Sequence, residues 1–144
     1  MRAPWLHIAL LVFAMVMTFA IAAHAAELPF ALGEVAAPPE ATGIDHATLR
    51  TTAQNELSAV DTTRVKATKR RPVVVSVAIT SATDASKACT VNALVRDAKS
   101  GVMIAVLQGR ASAEGAGSPD VRKAVLRAAM RSAVTQIPDA LSAQ

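Results

Sequence analysis

Apolar and polar residues alternate most regularly between residues 72 and 110. Val73, Val75, Val77 and Ile79 fall on one face of an extended chain, and Val74, Ser76, Ala78 and Thr80 on the other. After a polar connection over 81–87, Cys89, Val91, Ala93 and Val95 alternate with Thr90, Asn92, Leu94 and Arg96. Asp97-Ala-Lys-Ser-Gly101 then offers a capping acid and a glycine free to take positive φ, the chemistry of a tight hairpin. The third run sets Met103, Ala105 and Leu107 against Val102, Ile104 and Val106. A strand apolar on both faces asks for cover on both sides. The pattern predicts a small three-stranded antiparallel meander.

Helical spacing flanks this core. Leu49, Ala53, Leu57 and Val60 make one stripe of a helix that ends near Asp61. Asp45 is placed to cap it, and Ile44 to staple onto Leu49. Ser118-Pro119-Asp120 opens a second helix, with a capping Ser, Pro in the first turn and an early acid. Val125, Leu126, Ala129, Met130, Ala133 and Ile137 form its apolar side, Lys123, Arg127 and Arg131 a basic stripe, and Pro138 its end. The expected class is α+β in the order α-β-β-β-α, both helices on one face of the sheet.

The N-terminal region has a different pattern. Residues 5–23 are a continuous apolar block behind Arg2, followed by Ala23-His24-Ala25 and then Ala26 and Glu27. That is the form of a signal peptide over 1–25, with small residues where a signal peptidase reads them. The alternative is an uncleaved inner-membrane anchor over 5–23, since the block is long enough to span a bilayer. Both place the rest outside the cytoplasm, in the periplasm or the extracellular space. Residues 26–43, rich in Pro and Ala, read as an extended tether, and 44–144 as a single domain.

Composition narrows the function. The chain carries a net charge of +4, one less without Arg2. Cys89 is its one cysteine, so no internal disulfide can form. Only Phe30 among the aromatics lies beyond the leader, which argues against nucleic-acid stacking and carbohydrate platforms. No metal or cofactor site and no small-molecule substrate is evident. His46 and Cys89 could form a nucleophilic pair in a small secreted hydrolase, but Cys89 sits mid-strand among apolar neighbours, where a buried small hydrophobe is the simpler role. Gly115-Ala-Gly117 before a helix lacks the rest of a phosphate loop, and Asp120 stands where an anion would bind. Paired carboxylates for acid–base work do not stand out, so no catalytic residue is assigned.

What is left is contact chemistry. Arg64, Lys66, Lys69, Arg70 and Arg71 form a basic run ahead of the first strand. Together with Val102, Ile104 and Val106 they are the candidate contact surface, for self-association, a protein partner or an anionic membrane surface.

The segment Ala93-Leu-Val-Arg-Asp-Ala-Lys-Ser-Gly-Val-Met103, followed by a small-residue loop and an Ala/Arg-rich helix, resembles the α/β domain of bacterial envelope proteins of the curli-secretion lipoprotein and penicillin-binding-protein-activator kind. The match covers about a third of the chain. It implies a non-enzymatic envelope domain that works through contacts and brings no catalytic residues. The chain departs from that pattern in lacking a lipid-attachment Cys and a strand ahead of the first helix. The expected function is therefore an exported, non-catalytic envelope protein acting by binding or assembly. Mass spectrometry of protein from the envelope fraction is expected to find an N-terminus at Ala26, whereas Met1 retained in membranes would favour the anchor.

Overall fold

The structure is a computed structural model that describes residues 30–39, 41, 43–83, 88–115 and 117–144. The expected signal peptide, its cleavage residues Ala23, Ala25 and Ala26, and the alternative anchor over 5–23 lie outside the described residues, as do 84–87 of the polar connection. Among the described residues, no helix is long and apolar enough to cross a membrane.

The elements run β1 (Phe30–Ala36), α1 (His46–Ser58), β2 (Val73–Thr83), β3 (Ala88–Asp97), β4 (Met103–Ser112), α2 (Pro119–Val134) and α3 (Ile137–Ser142), with a 3-10 turn at Ala67–Lys69. The class is α+β, but the three-stranded antiparallel meander is corrected to a four-stranded mixed sheet in the order β1-β2-β3-β4. β1 pairs parallel to β2, and the other two pairs are antiparallel. β1 comes from the stretch expected to be a tether, so the domain begins before residue 44 and does have a strand ahead of its first helix. The reason it escapes periodicity is a slip in phase. Phe30, Leu32 and Val35 face Val73, Val75 and Val77, with a register shift between Leu32 and Val35. Gly33 and Glu34 take up the extra length, so the inward residues are not evenly spaced.

Two further bulges alter faces. In β2 the register shifts between Ile79 and Ser81, and the strand continues to Thr83 where a polar loop was expected. In β4 the shift lies opposite Val95 and Arg96: Ala105 faces Val95, Met103 faces Arg96, and Ile104 is the extra residue. Met103 therefore leaves the face of Leu107 and shares that of Val106. Ile104 turns partly into the core.

Local signals account for the helix starts. Asp45 accepts from Thr48 N at 2.7 Å and Ser118 from Val121 N at 3.3 Å. α2 ends at Val134, not at Ile137, and Ile137 begins α3 with Pro138 in its first turn. Pro138 cannot donate a helical hydrogen bond, so it interrupts one helix but is tolerated at the start of the next.

The core lies between the helices and one sheet face. Val73, Val75, Val77 and Ile79 of β2 and Cys89, Val91, Ala93 and Val95 of β3 are all buried beneath Leu49, Ala53 and Leu57 of α1 and Leu126, Ala129, Met130 and Ala133 of α2. α2 comes down onto β4 at Gly109. A Cβ there would overlap Ala129 O and lie 2.5 Å from Ala133 N, both backbone atoms that cannot swing away. Gly109→Ala is expected to destabilise at the upper end of the about 1–3 kcal/mol typical of overpacking. Gly101→Ala, with φ +70° but open space around it, should cost about 1–2 kcal/mol. Urea denaturation of the two variants checks that order.

Candidate functional site

Covering one face of the sheet leaves the other in view. Register and alternation set its side chains in rows. Val74, Arg96 and Met103 make one row, Ser76, Leu94 and Val106 the next, then Ala78, Asn92 and Gln108, and last Ser81, Thr90 and Arg110. Val106 is 57% exposed and Met103 56%, and Val102, just before the strand, is 62% exposed. Leu94 and Val74 are partly covered by their neighbours. On the β1 side Gly33 lets the chain pass tightly, since a Cβ there would stand 2.6 Å from Ser76 Oγ. The face thus has an apolar band toward β4. Polar pairs bound it: Gln108 Nε2 donates to Asn92 Oδ1 at 3.3 Å, and Arg110 Nε to Thr90 Oγ1 at 3.3 Å.

Of the apolar residues expected at the contact surface, Val106 lies on this open side, and Val102 is exposed in the hairpin ahead of β4, opposite Asp97. Ile104 is half-buried and packs against the core, and Met103 occupies the place it was expected to fill. The bulge that exchanges them leaves no mark in the alternation of an all-apolar run.

The basic run lies at the same end of the sheet as Met103, because β2 begins beside the end of β3: Val73 faces Asp97, and Ala98 N donates to Pro72 O at 2.9 Å. Most of its charge is engaged within the domain. Arg64 pairs with Asp139 at 2.9 Å, Lys69 Nζ reaches Gln144 O, Arg70 Nε donates to Val65 O at 3.0 Å, and Arg71 lies 3.8 Å from Asp97. Lys66 pairs with none of the described residues. Asp97 is primarily a turn residue. The backbone N–H groups of Ser100 and Lys99 hold its carboxyl below the usual range, with Arg71 a smaller influence.

Both edges of the sheet are obstructed. β1 carries the irregularity at Gly33–Glu34, and the carbonyl of Gln108 on β4 is taken by Gln136 Nε2 at 2.9 Å. Sequence reasoning missed that contact, and also the one between α1 and α2. There Glu56, buried, receives Arg131 Nε at 2.9 Å and Nη2 at 3.3 Å. Glu56 falls three residues after Ala53 and four before Val60, a position on the flank of the apolar stripe that could have signalled it.

The residues considered for catalysis are set in different surroundings. Cys89 is buried on the inner face of β3, where burial pushes its thiol up to about 11. His46 is exposed in the first turn of α1. Among the described residues no group of three or more His, Cys, Asp or Glu could hold a metal. The N-terminus of α2 is capped by its own Ser118.

No family model matches the chain, and no curated protein matches it. Among solved structures it is similar to the PelC dodecamer from Paraburkholderia phytofirmans, at 15% identity and a TM-score of 0.46, covering 80% of this chain and 90% of that one. It is also similar to a protein of Caulobacter crescentus assigned as a lipoprotein, at 15% identity and a TM-score of 0.35, covering 76% and 88%. At those scores neither likeness bears on function.

The Cys89 thiol gives a pH-dependent prediction. In the folded chain it resists ionisation up to about 11, against 9.0 for a free thiol. The unfolded chain therefore releases the proton first, and stability should fall as pH rises from 9.0 toward about 11. Cys89→Ala should abolish this part of the alkaline loss, seen as a wild-type minus variant difference in denaturation midpoint that changes only above pH 9.0. Iodoacetamide should label native Cys89 far more slowly than the unfolded chain.

Proposed function

We propose that this chain is an exported, non-catalytic envelope protein that acts by assembly through the outer face of its sheet, with a second copy of itself as the occupant. The observation that carries this reading is the exposure of Met103 and Val106 on a sheet whose other face is sealed by α1 and α2. A contiguous apolar band with a polar border is the anatomy of a contact surface. Size supports a second copy. Four strands about 4.8 Å apart and about 33 Å long offer roughly 600 Å² per copy. Two such faces bury about 1,200 Å², the lower bound for a stable interface. The exported chain has no disulfide to hold it, and covering this face would add hydrophobic stabilisation at about 25 cal/mol per Å² of apolar area.

Charge sets the direction of the salt effect. The charged residues in the rows of β2, β3 and β4 on this face are Arg96 and Arg110, of one sign. Two identical faces repel at their rims, so added salt should strengthen self-association by screening. An acidic partner would show the opposite dependence.

Sedimentation of the purified protein is the test. Val106→Lys should leave it folded and monomeric. Leu107→Lys should unfold it, because Leu107 faces Ala93 on the inner side and a charge there has no partner. A wild-type protein that stays monomeric at high concentration, or association that Val106→Lys leaves unchanged, overturns the reading.

A further inference from the structure

The opposite surface of the domain, formed by the helices, carries a different kind of patch. α1 and α2 run side by side in the same direction. Gly43, ahead of α1, lies against Arg122 in the first turn of α2, and Glu56, near the end of α1, holds Arg131 near the end of α2. Along these two helices the exposed charged groups are Arg50, Lys123, Arg127 and Arg131, with Asp120 at the start of α2 and His46 and the capping Asp45 at the start of α1. Glu56, the other carboxylate, is buried and already bound to Arg131. Lys123 and Arg127 lie four apart on one side of α2 and, like Arg50, pair with none of the described residues. This is the reverse of the basic run at 64–71, most of whose cations have an internal partner. The exposed residues between the cations are small: Ala124, Ala128 and Ser132. The described residues include one aromatic side chain, Phe30, and it faces Val73 on the inner side of the sheet.

We infer that this helical surface docks the protein on an anionic lipid bilayer, Lys123 and Arg127 lying among the headgroups. Small residues between the cations let a flat charged layer approach. Among the described residues no Phe, Tyr or Trp lies on this surface, so attraction is by point charges without insertion or stacking, which is what a headgroup surface requires and a nucleic acid does not. Docked in this way, the protein turns the sheet face with Met103 and Val106 away from the membrane. The inference stands independently of self-association, because the two surfaces are opposite sides of the fold.

Co-sedimentation of the purified protein with vesicles tests it, using phosphatidylcholine alone and phosphatidylcholine mixed with phosphatidylglycerol. Binding is expected only to the mixed vesicles at low salt. It should be lost near 1 M salt, where screening shortens to about 3 Å. Lys123→Gln and Arg127→Gln should each weaken binding about fivefold, and together about 25-fold, at the roughly 1 kcal/mol that a cation contributes near an anionic surface. Both side chains are exposed, so circular dichroism should be unchanged. Lys99→Gln, in the hairpin between β3 and β4 and not on either helix, should bind as wild type does. Three results would overturn the inference: no binding to the anionic vesicles at low salt, equal binding to both vesicle types, or binding that the double variant retains. Capture by soluble dextran sulfate without capture by vesicles would also overturn it, and would assign the surface to a polyanion in solution.

Discussion

The fold depends on how closely α2 can approach β4. Gly109 offers no side chain, so the backbone of α2 at Ala129 and Ala133 rests directly on the strand. That contact brings Leu126, Met130 and Ala133 over the valine rows of β2 and β3. The whole inner face can then be sealed with small and medium side chains, which suits a chain with almost no aromatic residues. One helix placed so low covers β3 and β4, α1 covers the β1 side, and neither reaches the other face. The bare outer face follows from the same economy that makes the inner face dry.

Charge is distributed by the same geometry. In the sequence the densest basic stretch is 64–71, and it is the obvious place to look for a partner. Folding brings Asp97, Asp139 and two backbone carbonyls to it, so most of that charge fixes a loop against the sheet end and α3. Among the described residues the sparser stripe on α2 has one internal counter-ion, Glu56, and that carboxylate holds Arg131 alone. Counting cations along a chain therefore overstates the difference between the two regions, since two of the five in the run face carboxylates and two more are held by backbone carbonyls. What matters is how many are left over after the fold has used its carboxylates, because exposed pairs within a domain add little to stability but do cancel the field a distant partner would feel.

Much of the architecture was legible in the residues. The positions of β2, β3 and β4, the capping of α1 and α2 and the Asp97–Gly101 turn follow from period, cap and turn chemistry. The parts that were not legible share a cause. β1, the continuation of β2 to Thr83 and the exchange of Met103 for Ile104 all involve a bulge, where one strand gains a residue relative to its neighbour. A bulge resets the phase of alternation. In Phe30–Ala36 that broke the pattern outright, and in the all-apolar β4 it left no trace, since both phases look alike. The outer face was legible in part for the same reason: the alternation puts Val106 on it, but Met103 reaches it only through the bulge. Glu56–Arg131 and Gln136–Gln108 join residues far apart in sequence; the place of Glu56 beside the apolar stripe hints at a partner, but no local pattern names either one.

The obstruction of the sheet edges bears on how such a domain could associate at all. An open sheet ordinarily recruits through its edges, where unpaired N–H and C=O groups await another strand. Here β1 is interrupted at Gly33–Glu34, and the β4 edge is occupied at Gln108 by a side chain from the turn ahead of α3. Adding a strand to β4 would require Gln136 to leave, exchanging one hydrogen bond for another while disturbing the junction between α2 and α3. Packing on the outer face requires no such exchange, because Val106 and Met103 are already free of contacts that would have to be broken. The face is also the safer of the two: face-to-face packing between closed copies stops at a pair, whereas edge pairing between sheets can propagate without limit. Blunt edges beside an apolar face thus favour a finite assembly over a fibre.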